Sequence, residues 1–202
     1  MDGRWKRAIL AALPERAERV LDLACGTGIV LEQLAKRYPD AELVGVDLTE
    51  EYLDVARAKL AKIGVAATLV HANAETAPLE GKFDTVCSSY LPKYVDADRL
   101  IDHLTPHVAP GGTVAFHDFT YPKGLVPRWG WRVWMHLLST GGRRVFPAWE
   151  KAFDKELMHK IVRSRWPKEF AAALTRRGYE DVTIQALSSR MATLVSARMG
   201  RA

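Results

Sequence analysis

The chain has 202 residues, is 48% hydrophobic and carries a net charge of +5 at pH 7, which suits a single globular domain with a sizeable core, residues 1–202. Its apolar runs fall short of the roughly 20 residues that a membrane-spanning helix needs, and its basic N-terminus lacks the apolar core of a signal peptide. We therefore expect a cytoplasmic protein without a disulfide framework, in which Cys25 and Cys87 are small buried residues.

Hydrophobic patterns predict strands and helices that alternate along the chain. In chain order we predict strand 19–24, helix 28–37, strand 42–47, helix 50–63, strands 67–71 and 83–88, helix 96–108, strand 112–118, a helix at about 167–177, and strands near 181–186 and 192–198. Thr49 is placed to cap the second helix and Gly64 to end it. Such alternation is typical of an α/β fold with a mostly parallel sheet covered by helices on both faces.

The first predicted strand leads into a glycine loop that opens a helix. Gly26 and Gly28 have no Cβ, so the loop can turn sharply and a ligand can approach its backbone N–H groups. The following helix would direct unpaired amides at a carboxylate or phosphate. The second strand ends at Asp47, whose carboxylate can accept both hydroxyls of a ribose. A dinucleotide loop would have a third glycine where Leu31 stands, which disfavours NAD, and the glycines could also serve the turn alone.

This pattern resembles the class I S-adenosylmethionine-dependent methyltransferases, whose first motif reads D-x-x-x-G-x-G and whose second strand ends in an acidic residue. The residues that carry the resemblance are Asp22, Gly26, Gly28 and Asp47, followed by Asn73-Ala-Glu75, the strand Phe83–Ser88 and Ala109-Pro-Gly-Gly-Thr113. The resemblance implies a Rossmann-like sheet of seven strands, the last of them antiparallel, and S-adenosylmethionine as the cofactor.

Within that class the chain is similar to the ubiquinone/menaquinone biosynthesis C-methyltransferases over nearly its whole length. The similar segments are Gly3-Arg-Trp-Lys-Arg7, His71–Pro78, Phe116–Pro122, Arg165-Trp-Pro167 and Gly178–Val182. This resemblance implies that Thr27, Asp47, Asn73, Ala74 and Ser88 contact the cofactor. The predicted cofactor site as a whole comprises Asp22, Ala24, Gly26, Thr27, Gly28, Asp47, Leu48, Asn73, Ala74, Glu75 and Ser88.

The predicted acceptor side departs from that family. Where the family reads F-G-L-R-N-V after the fourth strand, this chain reads Ser89-Tyr-Leu-Pro-Lys-Tyr94. Methyl transfer chiefly requires an acceptor held in line with the S–CH3 bond with water excluded, and a base is needed only if the acceptor arrives protonated. The candidate catalytic residues are Tyr90, Lys93, His117 and Asp118, although each could instead be a structural hydrogen-bonding group. We predict no metal site.

Residues 121–170 form a basic, tryptophan-rich segment, with eleven Lys or Arg against four acidic residues. Trp131, Trp134, Met135 and Leu138 recur at helical spacing, and Arg128 and Arg132 fall on another face. The segment is predicted to be a helical insertion within the domain. It could form a lid over an apolar acceptor, lie in an anionic membrane interface, or simply pack on the body of the domain. Nothing in it resembles a nucleic-acid-binding module, so we do not expect nucleic acid as a partner.

Taken together, these features predict a methyltransferase that uses S-adenosylmethionine and acts on a small apolar or amphipathic acceptor such as a prenylated quinol, which it would C-methylate. An N- or O-methyltransferase of phospholipids or small molecules is the alternative. A third hypothesis is a non-catalytic scaffold that binds the nucleoside, which would not need an open pocket lined by Tyr90, Lys93 and His117.

Overall fold

A computed structural model of the chain describes residues 2–121, 129, 130, 133, 155–188 and 191–201. Within these ranges lie six α-helices and seven β-strands. In chain order they are α1 (Asp2–Ala12), β1 (Arg19–Leu23), α2 (Ile29–Arg37), β2 (Glu42–Asp47), α3 (Glu50–Lys62), β3 (Thr68–His71), β4 (Phe83–Ser89), α4 (Ala97–Leu104), β5 (Val108–Phe119), α5 (Lys155–Arg163), α6 (Trp166–Arg176), β6 (Tyr179–Leu187) and β7 (Ala192–Met199).

The strands form one sheet in the order β3-β2-β1-β4-β5-β7-β6. Strands β1 to β5 pair in parallel, whereas β7 runs antiparallel to both of its neighbours, β5 and β6. The predicted seven-stranded, mostly parallel sheet with an antiparallel last strand is therefore confirmed. Strand order reverses between β1 and β4, and in open α/β sheets ligands bind beyond the carboxyl ends of the strands at such a point.

Helices cover the sheet on both faces, and each face has its own hydrophobic cluster. Ile9 of α1, Leu34 of α2 and Leu53 of α3 belong to one cluster, while Leu100 of α4 and Phe170 of α6 belong to the other. Burial of side chains of this size contributes about 1.5–3 kcal/mol each. The two layers hold the sheet rigidly, so that the loops at its carboxyl edge project from a fixed frame.

Some element boundaries differ from the prediction. The helix predicted over 96–108 ends at Leu104 and continues only as a 3-10 turn, because Pro106 lacks the N–H that would extend it. Strand β5 begins at Val108, four residues before the predicted start, since Val108 already pairs with Phe83. Thr49 precedes α3 as predicted, but its side chain makes no capping hydrogen bond. Helix α1 is not among the elements predicted above, whereas α5 lies within residues 121–170, the segment that was predicted to be a helical insertion.

Candidate active site

The loop after β1 has the backbone geometry that its glycines predict. Gly26 and Gly28 both have positive φ, +53° and +73°. A Cβ added at Gly26 would meet nothing within 4 Å, whereas one added at Gly28 would lie 3.0 Å from Cβ of Ala56 on α3. The two glycines therefore differ in function: Gly28 lets α3 approach the start of α2, and Gly26 leaves open space beside the loop.

Asp47 connects this loop to the end of β2. Its Oδ2 accepts the backbone N–H of Gly26 at 2.8 Å, and its Oδ1 accepts that of Thr49 at 2.9 Å. Each carboxylate oxygen has a second lone pair that these bonds leave available. The carboxylate thus fixes two backbone segments of the predicted site and retains the capacity to accept hydroxyl groups.

A small cavity of about 130 Å³ opens beside Asp47. Six predicted cofactor residues line it, namely Ala24, Asp47, Leu48, Asn73, Ala74 and Glu75. The turn of Asn73–Glu75 is held locally, since Oδ1 of Asn73 accepts the N–H of Glu75 at 2.9 Å. Sites that enclose a drug-sized ligand measure about 300–1,000 Å³, so this cavity suits only the nucleoside end of S-adenosylmethionine. The remainder of that cofactor would have to lie along the glycine loop.

The cavity has a second wall that the sequence analysis missed. Leu91, Tyr94 and Val95, which follow β4, also line it. Their position after the carboxyl end of a central parallel strand was the signal that could have identified them.

Two predicted cofactor residues lie beneath the loop rather than in the cavity wall. Ser88 is buried and donates its hydroxyl hydrogen to the carbonyl oxygen of Leu23 at 2.6 Å. Asp22 is 1% exposed, and its Oδ1 lies 3.6 Å from Sγ of Cys87. Its Oδ2 has no hydrogen-bond partner among the described residues. Burial raises the pKa of Asp22 to about 7.

Cys25 and Cys87 are both buried and unbonded to another sulfur, as predicted. Burial raises the pKa of each thiol, which keeps both in the unreactive protonated form. The structure therefore gives them a packing role beside the loop.

Beyond the carboxyl ends of β4 and β5 lies an aromatic cluster of Trp5, Tyr90, His117 and Phe119. The Tyr90 ring stacks on Phe119 with centroids 5.1 Å apart and meets His117 edge-on at 5.3 Å. Trp5 covers the His117 ring at 5.5 Å, and Nδ1 of His117 lies 3.2 Å from the hydroxyl of Ser89. Tyr90 has a φ of +72°, an uncommon conformation for a residue with a side chain and one that concentrates at functional sites.

Lys93 and Asp118, the other two catalytic candidates, form a buried ion pair. Nζ of Lys93 lies 2.7 Å from Oδ1 of Asp118, and the two side chains are 2% and 0% exposed. The Asp118 carboxylate also accepts the backbone N–H of Lys93 at 3.0 Å and that of Phe119 at 2.6 Å. Burial lowers the pKa of Lys93 and raises the pKa of Asp118, each opposed by the charge of the other. The ion pair and these hydrogen bonds link the turn after β4 to the end of β5.

His117 and Asp118, which are adjacent on β5, point to opposite faces of the sheet. His117 contacts Trp5 of α1, whereas the neighbouring Phe116 contacts Phe170 of α6. Successive side chains along a strand alternate between faces, so Asp118 lies on the α6 side. Nζ of Lys93 nevertheless lies 5.7 Å from the ring centroids of both Tyr90 and Phe119, so the four catalytic candidates form one contiguous group at this edge of the sheet.

Part of the basic, tryptophan-rich segment lies within the described residues. Trp129 is 69% exposed, whereas Trp166 is 1% exposed and donates its indole N–H to the carbonyl oxygen of Phe119 at 2.9 Å. Trp166 is therefore a core residue. The residues on which the membrane hypothesis depends, Arg128, Trp131, Arg132, Trp134, Arg143 and Arg144, lie outside the described part of the chain. Of the helices that are described, none has both the length and the apolar character to span a bilayer.

The chain resembles known proteins in both sequence and fold. A family model described as "Methyltransferase domain" matches residues 20–112. The chain is 31% identical to demethylmenaquinone methyltransferase of Roseiflexus castenholzii over 193 residues, which is 91% of this chain and 77% of that protein. It is 35% identical to the protein of the same name from Thermus thermophilus over 134 residues, 63% of this chain and 61% of the relative.

Other matches differ in the substrate that their names state. Trans-aconitate 2-methyltransferase of Pseudomonas aeruginosa is 37% identical over 122 residues, which is 60% of this chain and 40% of that protein. Among solved structures, Haemonchus contortus phosphoethanolamine N-methyltransferase 2 in complex with S-adenosyl-L-methionine superposes with a TM-score of 0.72 at 16% identity. That superposition covers 98% of this chain and 53% of the solved one, so this chain spans about half the length of the protein whose fold it shares.

Proposed function

Because the chain belongs to the class I S-adenosylmethionine-dependent methyltransferases, we propose that it transfers the methyl group of this cofactor to a small apolar or amphipathic acceptor. The observation that carries the proposal is the arrangement at one sheet edge. There the glycine loop, the Asp47 carboxylate and the Asn73–Glu75 turn adjoin the aromatic cluster.

The residues present fit the cofactor. Asp47 would accept the ribose hydroxyls with its remaining lone pairs, and Leu48 with the Asn73–Glu75 turn would enclose the adenine. The open space beside Gly26 would admit the rest of the molecule along the loop backbone. When bound, S-adenosylmethionine supplies an activated methyl group on a sulfonium. The protein then has to position the acceptor and exclude water.

The aromatic cluster supports an acceptor with a flat apolar ring, such as a prenylated quinol. Tyr90, Phe119 and Trp5 present aromatic rings at the carboxyl ends of the strands, next to the cofactor side. A quinol ring could stack there, and C-methylation would require removal of a ring or hydroxyl proton. The relatives named demethylmenaquinone methyltransferase, one of which aligns over 91% of this chain, support the same choice.

Within the cluster, His117 and Tyr90 are the groups best placed to accept that proton. Lys93 and Asp118 are engaged with each other and with the backbone, so we assign them a positioning role at the turn that carries Tyr90. Imidazole is the side chain that most often serves as a general base in enzymes.

A second candidate is an N- or O-methyltransferase of phospholipids or small molecules. The relative named trans-aconitate 2-methyltransferase favours it, since that name denotes a carboxylate acceptor. The burial of two catalytic candidates bears on the non-catalytic scaffold hypothesis. His117 and Lys93 are almost fully buried here, so they do not line an open pocket among the described residues. Only an acceptor assay separates a closed catalytic site from a scaffold.

The proposal is tested by incubating the protein with methyl-labelled S-adenosylmethionine and a panel of acceptors, analysed by mass spectrometry. The panel contains a demethylmenaquinol, trans-aconitate, phosphoethanolamine and a lipid extract. Label in the quinol alone supports the first candidate, and label in either small acid or amine supports the second. If S-adenosylmethionine binds but no acceptor is labelled, the scaffold hypothesis replaces both.

We further propose that residues 121–170 contact an anionic membrane surface, where an apolar acceptor would reside. The surplus of basic residues and the exposed Trp129 support this proposal. A lid over the acceptor and plain packing are the other outcomes that the vesicle experiment below separates from it.

A further inference from the structure

The ammonium group of Lys93 lies in a cage of aromatic rings. Its Nζ is 4.3 Å from the ring centroid of Tyr94 and 5.7 Å from those of Tyr90 and Phe119. Oδ1 of Asp118 lies 2.7 Å from the same Nζ, and the carbonyl oxygen of Tyr90 accepts a hydrogen bond from it at 2.8 Å. Aromatic faces within about 6 Å attract a cation, and proteins bind the ammonium groups of ligands in aromatic cages of this kind.

This cage lies between the two parts of the proposed site. Tyr94 lines the cavity beside Asp47, whereas Tyr90 and Phe119 belong to the aromatic cluster. The Lys93 side chain is only 2% exposed, so its ammonium group fills the cage from inside the protein. A ligand group in the cage would therefore lie next to both the cofactor cavity and an acceptor stacked on the aromatic cluster.

A lysine in the cage takes the place that a positively charged acceptor would need. The carboxylate of Asp118 is already paired with Lys93, so a second cation would meet a buried like charge without a counterion. Lys160 of α5 adds a further positive charge, since its Nζ lies 4.9 Å from the ring centroid of Tyr94. An acceptor without positive charge meets no such repulsion.

We propose that Lys93 determines acceptor specificity, because it occupies an ammonium-binding site next to the cofactor and thereby excludes amine acceptors. The inference rests on the proposed function, since it names the class of acceptor at the same site. It favours an uncharged ring, such as that of a quinol, over an amine such as phosphoethanolamine. The ion pair that positions the turn after β4 serves this second role without any change of geometry.

Chemical rescue tests whether the cage binds an ammonium ligand. Lys93→Ala removes the side chain beyond Cβ, and n-propylammonium has the carbon atoms and the charge that are lost. At tenfold its half-effect concentration, n-propylammonium should raise the melting temperature of Lys93→Ala by about 3–6 °C relative to sodium chloride at the same ionic strength. Uncharged 1-propanol should raise it by less than about 1 °C. The wild type should not respond to the amine, because Lys93 fills the cage.

Lys36→Ala is the matched control, because Lys36 makes an ion pair of the same 2.7 Å length with Glu32 at an exposed position and should show no rescue. Adding Asp118→Asn to Lys93→Ala removes the carboxylate and should weaken the rescue. If Lys93→Ala does not fold alone, its recovery on dilution from urea is compared with and without the amine. Equal effects of n-propylammonium and 1-propanol, or a recovery that the amine does not change, would overturn the ammonium site.

The acceptor specificity is tested in the wild type with methyl-labelled S-adenosylmethionine. Label only in acceptors without an ammonium group supports the role of Lys93, and label in phosphoethanolamine would overturn it. If n-propylammonium rescues Lys93→Ala but the wild type labels no acceptor, the proposed function and the specificity role fail together, whereas the ammonium site stands.

Discussion

Gly26 donates its backbone N–H to the Asp47 carboxylate at 2.8 Å, which joins two segments that are 21 residues apart in the chain. The carboxylate that ends β2 therefore fixes the loop that follows β1. This bond makes the ligand site one unit, because the residue expected to hold the ribose also sets the position of the loop beside it.

Asp47→Ala should weaken S-adenosylmethionine binding by about 1.5–3 kcal/mol, the range for a hydrogen bond to a charged group. Because the backbone N–H groups of Gly26 and Thr49 lose their acceptor, the melting temperature should fall as well. Calorimetry and thermal melting measure the two effects. Asp40→Ala, at an exposed position, is the control and should change neither. Unchanged affinity in Asp47→Ala would remove this carboxylate from the site.

Gly26→Val should chiefly affect cofactor binding, whereas Gly28→Ala should chiefly affect stability. The first places a branched side chain in the open space beside the loop, so S-adenosylmethionine binding should be abolished while the protein still folds. A positive φ costs a non-glycine residue about 1–2 kcal/mol, so Gly26→Val should lose roughly that much stability. A folded Gly26→Val protein that binds normally would show that this glycine serves only the turn.

Gly28→Ala should mainly reduce stability, because the new Cβ would lie 3.0 Å from Cβ of Ala56. Urea unfolding of both glycine variants measures this difference. If Gly28→Ala were as stable as the wild type, the close approach of α3 to the loop would not matter to the fold.

The buried Asp22 predicts a pH dependence of stability. Its pKa is about 7 in the folded protein, against an ordinary value of 3.8, so the folded protein retains a proton that the unfolded chain releases between these values. Stability should therefore fall as pH rises through this window, at most by about 1.4 kcal/mol for each unit of the shift. Lys6 reduces this effect, and Asp47 adds to it.

Asp22→Asn cannot ionise, so its unfolding free energy should change less between pH 5 and pH 7.5 than that of the wild type. Urea unfolding at the two pH values measures the difference, and Asp40→Asn is the exposed control that should match the wild type. If the unfolding free energy of the wild type changed between the two pH values by the same amount as that of Asp22→Asn, Asp22 would not titrate in this range.

Lys93→Met should destabilise the protein by about 3–5 kcal/mol, because it leaves the carboxylate of Asp118 buried without its ion-pair partner. Adding Asp118→Asn should recover part of that loss, since it removes the unpaired buried charge while the one amide oxygen of asparagine still accepts one of the two backbone N–H groups. Lys36→Met, which breaks an exposed pair with Glu32, should change stability by less than about 1 kcal/mol. A Lys93→Met protein as stable as the wild type would contradict the positioning role.

If residues 121–170 contact an anionic membrane, the protein should sediment with anionic vesicles and be released by salt. Basic residues near such a surface contribute about 1 kcal/mol each and are screened within a Debye length. Replacing Arg128, Arg132, Arg143 and Arg144 by alanine should abolish sedimentation and leave S-adenosylmethionine affinity intact. If the wild-type protein does not sediment with these vesicles at low salt, residues 121–170 are better explained as a lid over the acceptor or as packing on the domain.

The cofactor side could be predicted from the sequence because its residues lie in short consecutive motifs. Asp22 to Gly28 form one strand and its loop, and the carboxyl ends of parallel strands necessarily meet, so Asp47 and Asn73 could be placed beside it. The alternation of strands and helices likewise predicted a mostly parallel sheet, and the family resemblance implied its antiparallel last strand.

The acceptor side depends on contacts between distant residues, which no local pattern specifies. Lys93 and Asp118 were singled out as catalytic candidates, but their burial and their pairing follow from how the turn after β4 packs on β5. The position of α1, and with it the burial of Lys6, depends on the contacts of Trp5 with His117 and Ser188. The start of β5 was missed because Pro110, Gly111 and Gly112 read as a loop although Val108 already pairs with β4.

The central claim is that S-adenosylmethionine binds at the carboxyl edge between β1 and β4. Its most direct test is a calorimetric titration of S-adenosylmethionine into the wild-type protein and into folded Gly26→Val. We predict saturable binding at one site per chain in the wild type and no detectable binding in Gly26→Val. A wild-type protein that does not bind S-adenosylmethionine, or a variant that binds it equally well, would contradict the account.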